Sequence, residues 1–206
     1  RLSLVGSEMC IRDRDYFAYV DGKPRYNGVR DFFASRGITL PEGDPSDGPA
    51  AQTICGLGNR KNDLFNTVLA RDGIQPYPGS RRWVDRLHES GMAMAVVSSS
   101  RNAAAVLKAA GMAEDFSVLV DGNRSKAERL PGKPAPDTYL RGAELLGVPA
   151  EECVVVEDAV SGVRAGAAGG FGMVLGVNRG VGADRLREAG ADRVVDDLDE
   201  MVEEMA

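Results

Sequence analysis

The chain has 206 residues, 43% hydrophobic content and a formal net charge of −6. This size and composition allow one packed domain, or a core with a smaller module. The acidic balance argues against a nucleic-acid surface, and no apolar stretch of the sequence approaches membrane-spanning length. The 3 cysteines have no metal-like spacing, and because their count is odd and sparse we expect a reducing compartment, the cytoplasm.

The first residues, 1–14, have no pattern of a signal peptide. Residues 4–13 resemble the translation of a transposase adapter used in sequencing libraries, which ends Met-Cys-Ile-Arg-Asp in one frame. We therefore interpret residues 1–14 as a non-native scar and leave them out of the fold prediction. The alternative is a genuine polar N-terminal arm.

Residues 15–75 have few β-branched runs and two amphipathic helical patches. The first patch, 29–36, ends at Gly37, and the second, 62–71, ends shortly before Gly73. Between them, residues 41–49 are rich in Pro, Gly, Asp and Ser, which is typical of a loop. The sequence predicts a small helical domain over residues 15–75.

From Pro76 onward, apolar runs alternate with helical patterns. Strands are predicted at 92–97, 116–120, 154–156, 173–177 and 193–195. Helices are predicted at 82–89, 102–110, 137–146, 161–168, 184–189 and 198–205. This alternation predicts an α/β domain over residues 76–206, with a doubly wound parallel sheet.

The stretch Val154–Gly166, V-V-V-E-D-A-V-S-G-V-R-A-G, carries an apolar strand directly into two carboxylates. Glu157 and Asp158 are therefore predicted at the carboxyl end of a strand, the edge where open α/β sheets bind ligands. Adjacent carboxylates repel unless they share a cation or a proton, and Mg²⁺ prefers such oxygen ligands. The alternative is a solvated acidic pair at a strand end.

Two other segments are predicted to reach the same sheet edge. Ser98-Ser99-Ser100-Arg101-Asn102 follows a strand and begins a helix, where hydroxyl and amide groups favour an anion. Lys133, held between Gly132 and Pro134, can neutralise a phosphate. Taken singly, Ser98 is also a common helix cap and Lys133 a common solvated lysine. Together with Asp158 they predict a phosphoryl-transfer site.

These motifs, Ser98–Asn102, Lys133–Asp137 and Glu157–Gly166, resemble motifs II, III and IV of the haloacid dehalogenase superfamily. The sequences K-P-A-P-D and E-D-A-V-S-G-V are most similar to the motifs of the β-phosphoglucomutase-like branch. This resemblance implies a Rossmann-like core with a helical cap. The resemblance implies that Ser98 binds the transferring phosphate, that Lys133 stabilises it, and that Asp158 ligates Mg²⁺ with assistance from Glu157.

The same resemblance implies a group of residues that contact the substrate. Ser99, Arg101 and Asn102 are expected near it in the core. In the cap, Arg60 and Lys61 are candidates for the distal part of a sugar phosphate, although a solvated helix start is the alternative. The stretch from Asp21 to Tyr26 is a weaker candidate for the same cleft.

One motif of the family is not found in its expected form. Motif I is a strand followed by Asp-x-Asp-Gly, whose first Asp is the nucleophile and whose second is the general acid/base. Asp13-Arg14-Asp15 imitates it, but Tyr16 replaces the glycine and a poor strand precedes it. We therefore expect the core to lack its first, central strand, which would leave two unpaired strand edges.

The sequence thus predicts magnesium-dependent phosphoryl transfer on a small sugar phosphate, with the aspartyl nucleophile missing from this chain. A phosphatase on the same scaffold is the alternative, and a non-catalytic truncated fragment is another. A phospho-receiver regulator would carry its acidic pair on the first strand and no helical cap, unlike this sequence. We expect a monomer without nucleic-acid or membrane partners.

Overall fold

The structure is a computed structural model that describes residues 13–204, with side chains from residue 15 onward. The helices are α1 Asp13–Tyr19, α2 Arg25–Ala34, α3 Ile54–Asp72, α4 Pro78–Glu89, α5 Ala103–Ala109, α6 Gly122–Ala127, α7 Asp137–Leu146, α8 Val160–Ala168, α9 Ala183–Glu188 and α10 Asp199–Glu204. The strands are β1 Ala95–Val97, β2 Val118–Val120, β3 Val154–Glu157, β4 Met173–Val177 and β5 Arg193–Val195. Most of the scar interpreted from the sequence, residues 1–12, lies outside the described residues.

The strands form two separate parallel sheets, the first from the two earlier strands and the second from the three later strands. Strand β1 pairs with β2, and β4 lies between β3 and β5. Helices alternate with these strands, so the predicted doubly wound α/β fold is confirmed. Within residues 13–204, β1 pairs only with β2 and β3 pairs only with β4, which leaves the two strand edges expected from the sequence.

Both faces of the three-stranded sheet are covered by helices. On one face, Tyr139 of α7, Val163 of α8 and Leu186 of α9 pack with Val155 and Val174. On the other face, Leu175, Val177 and Val195 pack with Leu198 and with Trp83 of α4. In the part of the chain that the structure describes, no helix has the length and apolarity needed to cross a membrane.

Residues 13–72, here called the helical segment, contain α1, α2 and α3. Helix α3 begins at Ile54, eight residues before the predicted start, with the Thr53 hydroxyl accepting from the Gly56 amide at 2.9 Å. A Cβ on Gly58 would lie 2.8 Å from the Tyr26 ring, so the glycine allows α2 to pack closely against α3. Gly56 and Gly58 also weaken the helical pattern of the sequence in the first part of α3. The intrinsic cost of glycine explains why the sequence pattern places the start too late.

Two further differences concern short elements. The predicted strands at 92–97 and 116–120 are too long, because the ladder begins only where Ala95 meets Val118. Helix α6 was not predicted, since six residues are too few for a recognisable apolar period. Its start is fixed by Asp121, whose carboxylate accepts from the amides of Asn123 and Arg124.

Candidate active site

Lys133 and Glu157 form a buried ion pair between the two sheets. The side chains are 5% and 9% exposed, and the ammonium group contacts Oε1 of Glu157. The ammonium also donates to the carbonyl oxygen of Val97, the last residue of β1, at 3.2 Å. Because Glu157 ends β3, a single lysine joins the carboxyl ends of two strands from different sheets.

Every oxygen of the Glu157 carboxylate is engaged. Besides Lys133, Oε1 accepts from the Tyr139 hydroxyl at 2.7 Å, and Oε2 accepts from the amides of Asp158 and Ala159 at 3.0 Å each. Burial alone would raise the pKa of Glu157, but Lys133, Tyr139 and the Ala159 amide together lower it. The group is therefore held as an anion whose hydrogen bonds are made within the protein.

Asp158 follows Glu157 at the sheet edge and remains exposed. Desolvation, Glu157 and Asp21 raise its pKa to about 6, against the smaller opposing effects of its own amide and Lys133. Asp21 comes from the turn after α1, and desolvation followed by Glu157 raises its pKa too. The charges of Asp21, Glu157 and Asp158 therefore act on one another near Lys133, although no group of three such side chains among the described residues is arranged to hold a metal ion.

The loop from Ser98 to Asn102 continues β1 at the same edge. The Ser98 amide donates to the carbonyl of Val120 at 2.9 Å, which extends the β1–β2 pairing by one residue. The Ser98 hydroxyl accepts from the Ser100 amide at 3.2 Å, which folds the loop back on itself. Ser98 therefore lies directly after the carbonyl that Lys133 contacts.

The turn at Gly22 contacts two loops of the core. Its carbonyl accepts from the Ser99 hydroxyl at 3.0 Å, and its φ is +68°. A Cβ at this position would lie 2.5 Å from the Ser161 Oγ and 2.9 Å from the Ala159 Cβ. At this turn the helical segment therefore contacts the core through its backbone. The Ser161 hydroxyl is buried and has no hydrogen-bond partner among the described residues.

Helix α3 brings a basic and amide-rich cluster to the same side. Asn62 Oδ1 accepts from Arg25 at 2.6 Å and from Asn102 at 2.7 Å. Lys61 is exposed, yet desolvation by nearby protein atoms lowers its pKa, Arg25 lowers it further and Asp21 partly offsets both. Arg101 lies over the Tyr26 ring at 5.8 Å.

The structure therefore brings together Lys133, Glu157 and Asp158, and it places Ser98 on the adjoining strand end. Ser99 and Asn102 contact the helical segment, while Arg60 is exposed and has no ion pair among the described residues. The imitation of motif I lies in helix α1, not at a strand end, and Asp15 pairs with Arg36 at 3.0 Å.

Two contributors were missed by the sequence interpretation. Tyr139 lies in an ordinary helical pattern, and nothing in that pattern indicates that its hydroxyl reaches Glu157. Asn62 was assigned only to a helix start, and nothing in the sequence pattern indicates that its side chain reaches Asn102.

Comparison with known proteins supports an enzymatic site. A family model described as haloacid dehalogenase-like hydrolase matches residues 8–170. A β-phosphoglucomutase of Mycobacterium bovis is 49% identical over 191 residues, which cover 91% of this chain and 73% of the relative. Hexitol phosphatase A of Escherichia coli K12 is 39% identical over 193 residues, covering 93% of this chain and 79% of the relative.

A solved structure has the same fold. The β-phosphoglucomutase from Clostridium difficile superimposes with a TM-score of 0.75 at 20% identity, covering 94% of this chain and 81% of that chain. The relatives named are thus enzymes of the phosphomutase and phosphatase type.

Proposed function

The chain belongs to the haloacid dehalogenase-like hydrolase family, a family of phosphoryl-transfer enzymes, and we propose that it acts on a small sugar phosphate as a β-phosphoglucomutase does. The observation that carries this proposal is the buried Lys133–Glu157 pair beside Asp158 and the Ser98 loop. The cation and the hydroxyl loop at this sheet edge suit the binding of a phosphate, and the carboxylate of Asp158 beside them suits a metal cation.

In this proposal each core residue has a separate role. The Ser98 hydroxyl and nearby amides bind the transferring phosphate, and Lys133 neutralises its charge. Ser99, Arg101 and Asn102 border the substrate from the core. In the proposed domain division, residues 15–75, which include most of the helical segment, act as a cap over the core at 76–206. Lys61, Arg25 and Arg60 border the distal part of the sugar phosphate.

The residues present fit a magnesium ion. Mg²⁺ takes one or two carboxylates together with water and substrate phosphate, so a cluster of three protein ligands is not required. Desolvation raises the pKa of Asp158, the charges of Glu157 and Asp21 raise it further, and a divalent ion would relieve the repulsion between these carboxylates. We assign Asp158 as the ligand, with Glu157 orienting it through the Asp158 amide. When bound, Mg²⁺ would offset phosphate charge.

The nucleophile is proposed to be an aspartate of a motif I strand that precedes the cap in the family. Lys133 and Glu157 are already paired, and Ser98 lies where phosphate is bound, so none of them is assigned as the group that is phosphorylated. The chain of 206 residues is therefore expected to bind phosphate but to show little turnover. A further alternative is that this chain is wholly non-catalytic and at most binds magnesium or phosphate.

A phosphatase is the second candidate, favoured by the similarity to hexitol phosphatase A. The two functions differ in whether water or a hydroxyl of a sugar phosphate receives the phosphoryl group. The sheet edge that we propose for phosphate binding is the same for both. Substrate choice therefore has to be measured.

The test compares the 206-residue chain with a version that carries a strand and Asp-x-Asp-Gly fused before Asp15. Both are assayed with β-glucose 1-phosphate and with a generic phosphate ester, with and without Mg²⁺. Formation of glucose 6-phosphate only by the fused version with Mg²⁺ is expected. A fused version with the first Asp changed to Asn is the matched control and is expected to be inactive.

Full activity of the unfused chain would contradict the proposal for the nucleophile. If the fused version acted on the generic ester alone, the phosphatase assignment would replace the mutase assignment.

A further inference from the structure

We propose that Tyr139 is a positioning residue that shares the Glu157 carboxylate with Lys133 and so keeps the lysine ammonium available to substrate phosphate. The inference rests on the proposed function and deepens it. Tyr139 is 7% exposed and was assigned no role by sequence motifs. It contacts both members of the ion pair with two different parts of its side chain.

The phenol contacts the anion and the ring contacts the cation. The hydroxyl donates to Glu157 Oε1 at 2.7 Å, and Lys133 Nζ lies 4.6 Å from the ring centroid. Burial, followed by the charge of Glu157, raises the pKa of Tyr139, so the hydroxyl stays a donor at neutral pH. A cation near an aromatic face is stabilised by the ring electrons.

The ring is itself held in place. Phe171 meets it edge to face, with centroids 6.0 Å apart and an interplanar angle of 76°. Tyr139 also belongs to the buried cluster with Val155 and Val163. The hydroxyl and the ring face therefore have a fixed direction relative to the end of β3.

The donors at Oε1 decide how strongly Glu157 retains the lysine. An ammonium group has three N–H donors, and Lys133 uses two of them on Glu157 and on the Val97 carbonyl. The Tyr139 hydroxyl satisfies the same oxygen that Lys133 contacts. Without it, Lys133 would be the only side-chain donor to Oε1, so Glu157 would retain the ammonium more strongly and leave it less available to phosphate.

The experiment measures the affinity of the full chain for inorganic phosphate in the presence of Mg²⁺, which does not require a nucleophile. Tyr139→Phe keeps the ring and removes the hydroxyl, and we expect it to weaken phosphate binding by about threefold to tenfold. Val174→Ala is the matched control, because it disturbs the same buried cluster without removing a hydrogen bond or the Phe171 contact with the ring. It is expected to lower the melting temperature and leave phosphate affinity within about twofold of the parent.

A double-mutant cycle separates positioning from packing. In a Glu157→Gln background, Lys133 no longer has a charged competitor, so Tyr139→Phe is expected to change phosphate affinity by less than about twofold. An equal effect in both backgrounds would overturn the inference. So would a loss of affinity in Val174→Ala as large as in Tyr139→Phe.

A second readout does not depend on phosphate. In ¹³C-lysine-labelled chain, the Lys133 methylene signals next to the ammonium are expected to move upfield because of the ring, to stay there in Tyr139→Phe, and to return toward ordinary values in Tyr139→Leu. Unchanged signals in Tyr139→Leu would refute the positioning role. If the parent chain binds no phosphate while these signals behave as expected, the proposed function fails and the fixed geometry of Lys133 stands.

Discussion

The side-chain amide of Asn102 donates a 2.7 Å hydrogen bond to Asn62, and this bond joins the loop after β1 to helix α3. The oxygen that accepts it also accepts from Arg25 at 2.6 Å. Asn62 therefore links the start of α2, the body of α3 and the core. With the contact between Ser99 and the Gly22 carbonyl, it fixes the helical segment over the sheet edge.

Replacing Asn62 with alanine should loosen the helical segment without unfolding the core. Two donors, one of them charged, lose their acceptor, and we expect a loss of about 1–2 kcal/mol in the stability of α2 and α3. Hydrogen exchange of the amides in these helices is the measurement. Asn66→Ala, on an exposed position of the same helix, is the matched control, and equal exchange in the two variants would contradict the assigned link.

Replacing Gly22 with alanine tests the close contact between the segment and the core. The φ of +68° costs an alanine about 1–2 kcal/mol, and overlap with Ser161 and Ala159 should add about 1–3 kcal/mol. Gly37 also has a φ of +68° but would meet nothing within 4 Å, so Gly37→Ala isolates the backbone cost. Urea unfolding should show the larger loss in Gly22→Ala, and equal losses would contradict the contact.

The stability of the chain without added Mg²⁺ should fall as the pH rises through the titration of Asp158. Its folded-state pKa is raised to about 6, so between pH 4 and 6 the native state binds more protons than the unfolded state. The contribution is therefore present below the unfolded pKa and lost above pH 6. Because Asp158 is exposed, solvent screening reduces the expected effect to about 1 kcal/mol.

Asp158→Asn is the variant that checks this pH dependence by thermal unfolding. It should remove the fall between pH 4 and 6 and should be more stable than the parent at pH 7.5. An unchanged pH profile in this variant would assign the titration to another group, of which Asp21 is the nearest candidate.

Replacing Lys133 with methionine should strongly destabilise the fold. The Glu157 anion would remain buried without its cation, and breaking such a pair costs about 3–5 kcal/mol. Without Lys133, burial raises the pKa of Glu157, so the loss should shrink as the pH falls toward 4. Urea unfolding at pH 7.5 and at pH 4.5 measures both effects.

Arg30→Met is the control for this experiment. Arg30 and Glu42 form an exposed pair, with side chains 45% and 55% accessible, and its loss should cost less than about 1 kcal/mol. A Lys133→Met loss as small as this would mean that the interior pair relaxes into solvent.

The alternation of elements in the core was predictable because each buried strand is a short apolar run between turn residues. Helix α7 and strands β4 and β5 agree with the predicted bounds for this reason. The position of these side chains at strand ends was predictable, since Ser98 and Glu157 directly follow apolar runs. The partners of each side chain were not, because Tyr139 reaches Glu157 only through packing of α7 against the sheet.

The close contact at Gly22 restricts which helical segments of related proteins can replace the helical segment of this chain. A helical segment transplanted from another member of the family would meet Ser161 and Ala159 with whatever residue it carries at this turn. Chimeras joined at the Pro76–Gly79 linker should therefore assemble only when the donor supplies a glycine there and an acceptor for Asn102. The close contact at Gly22 is therefore the limiting requirement for exchanging the helical segment as a unit.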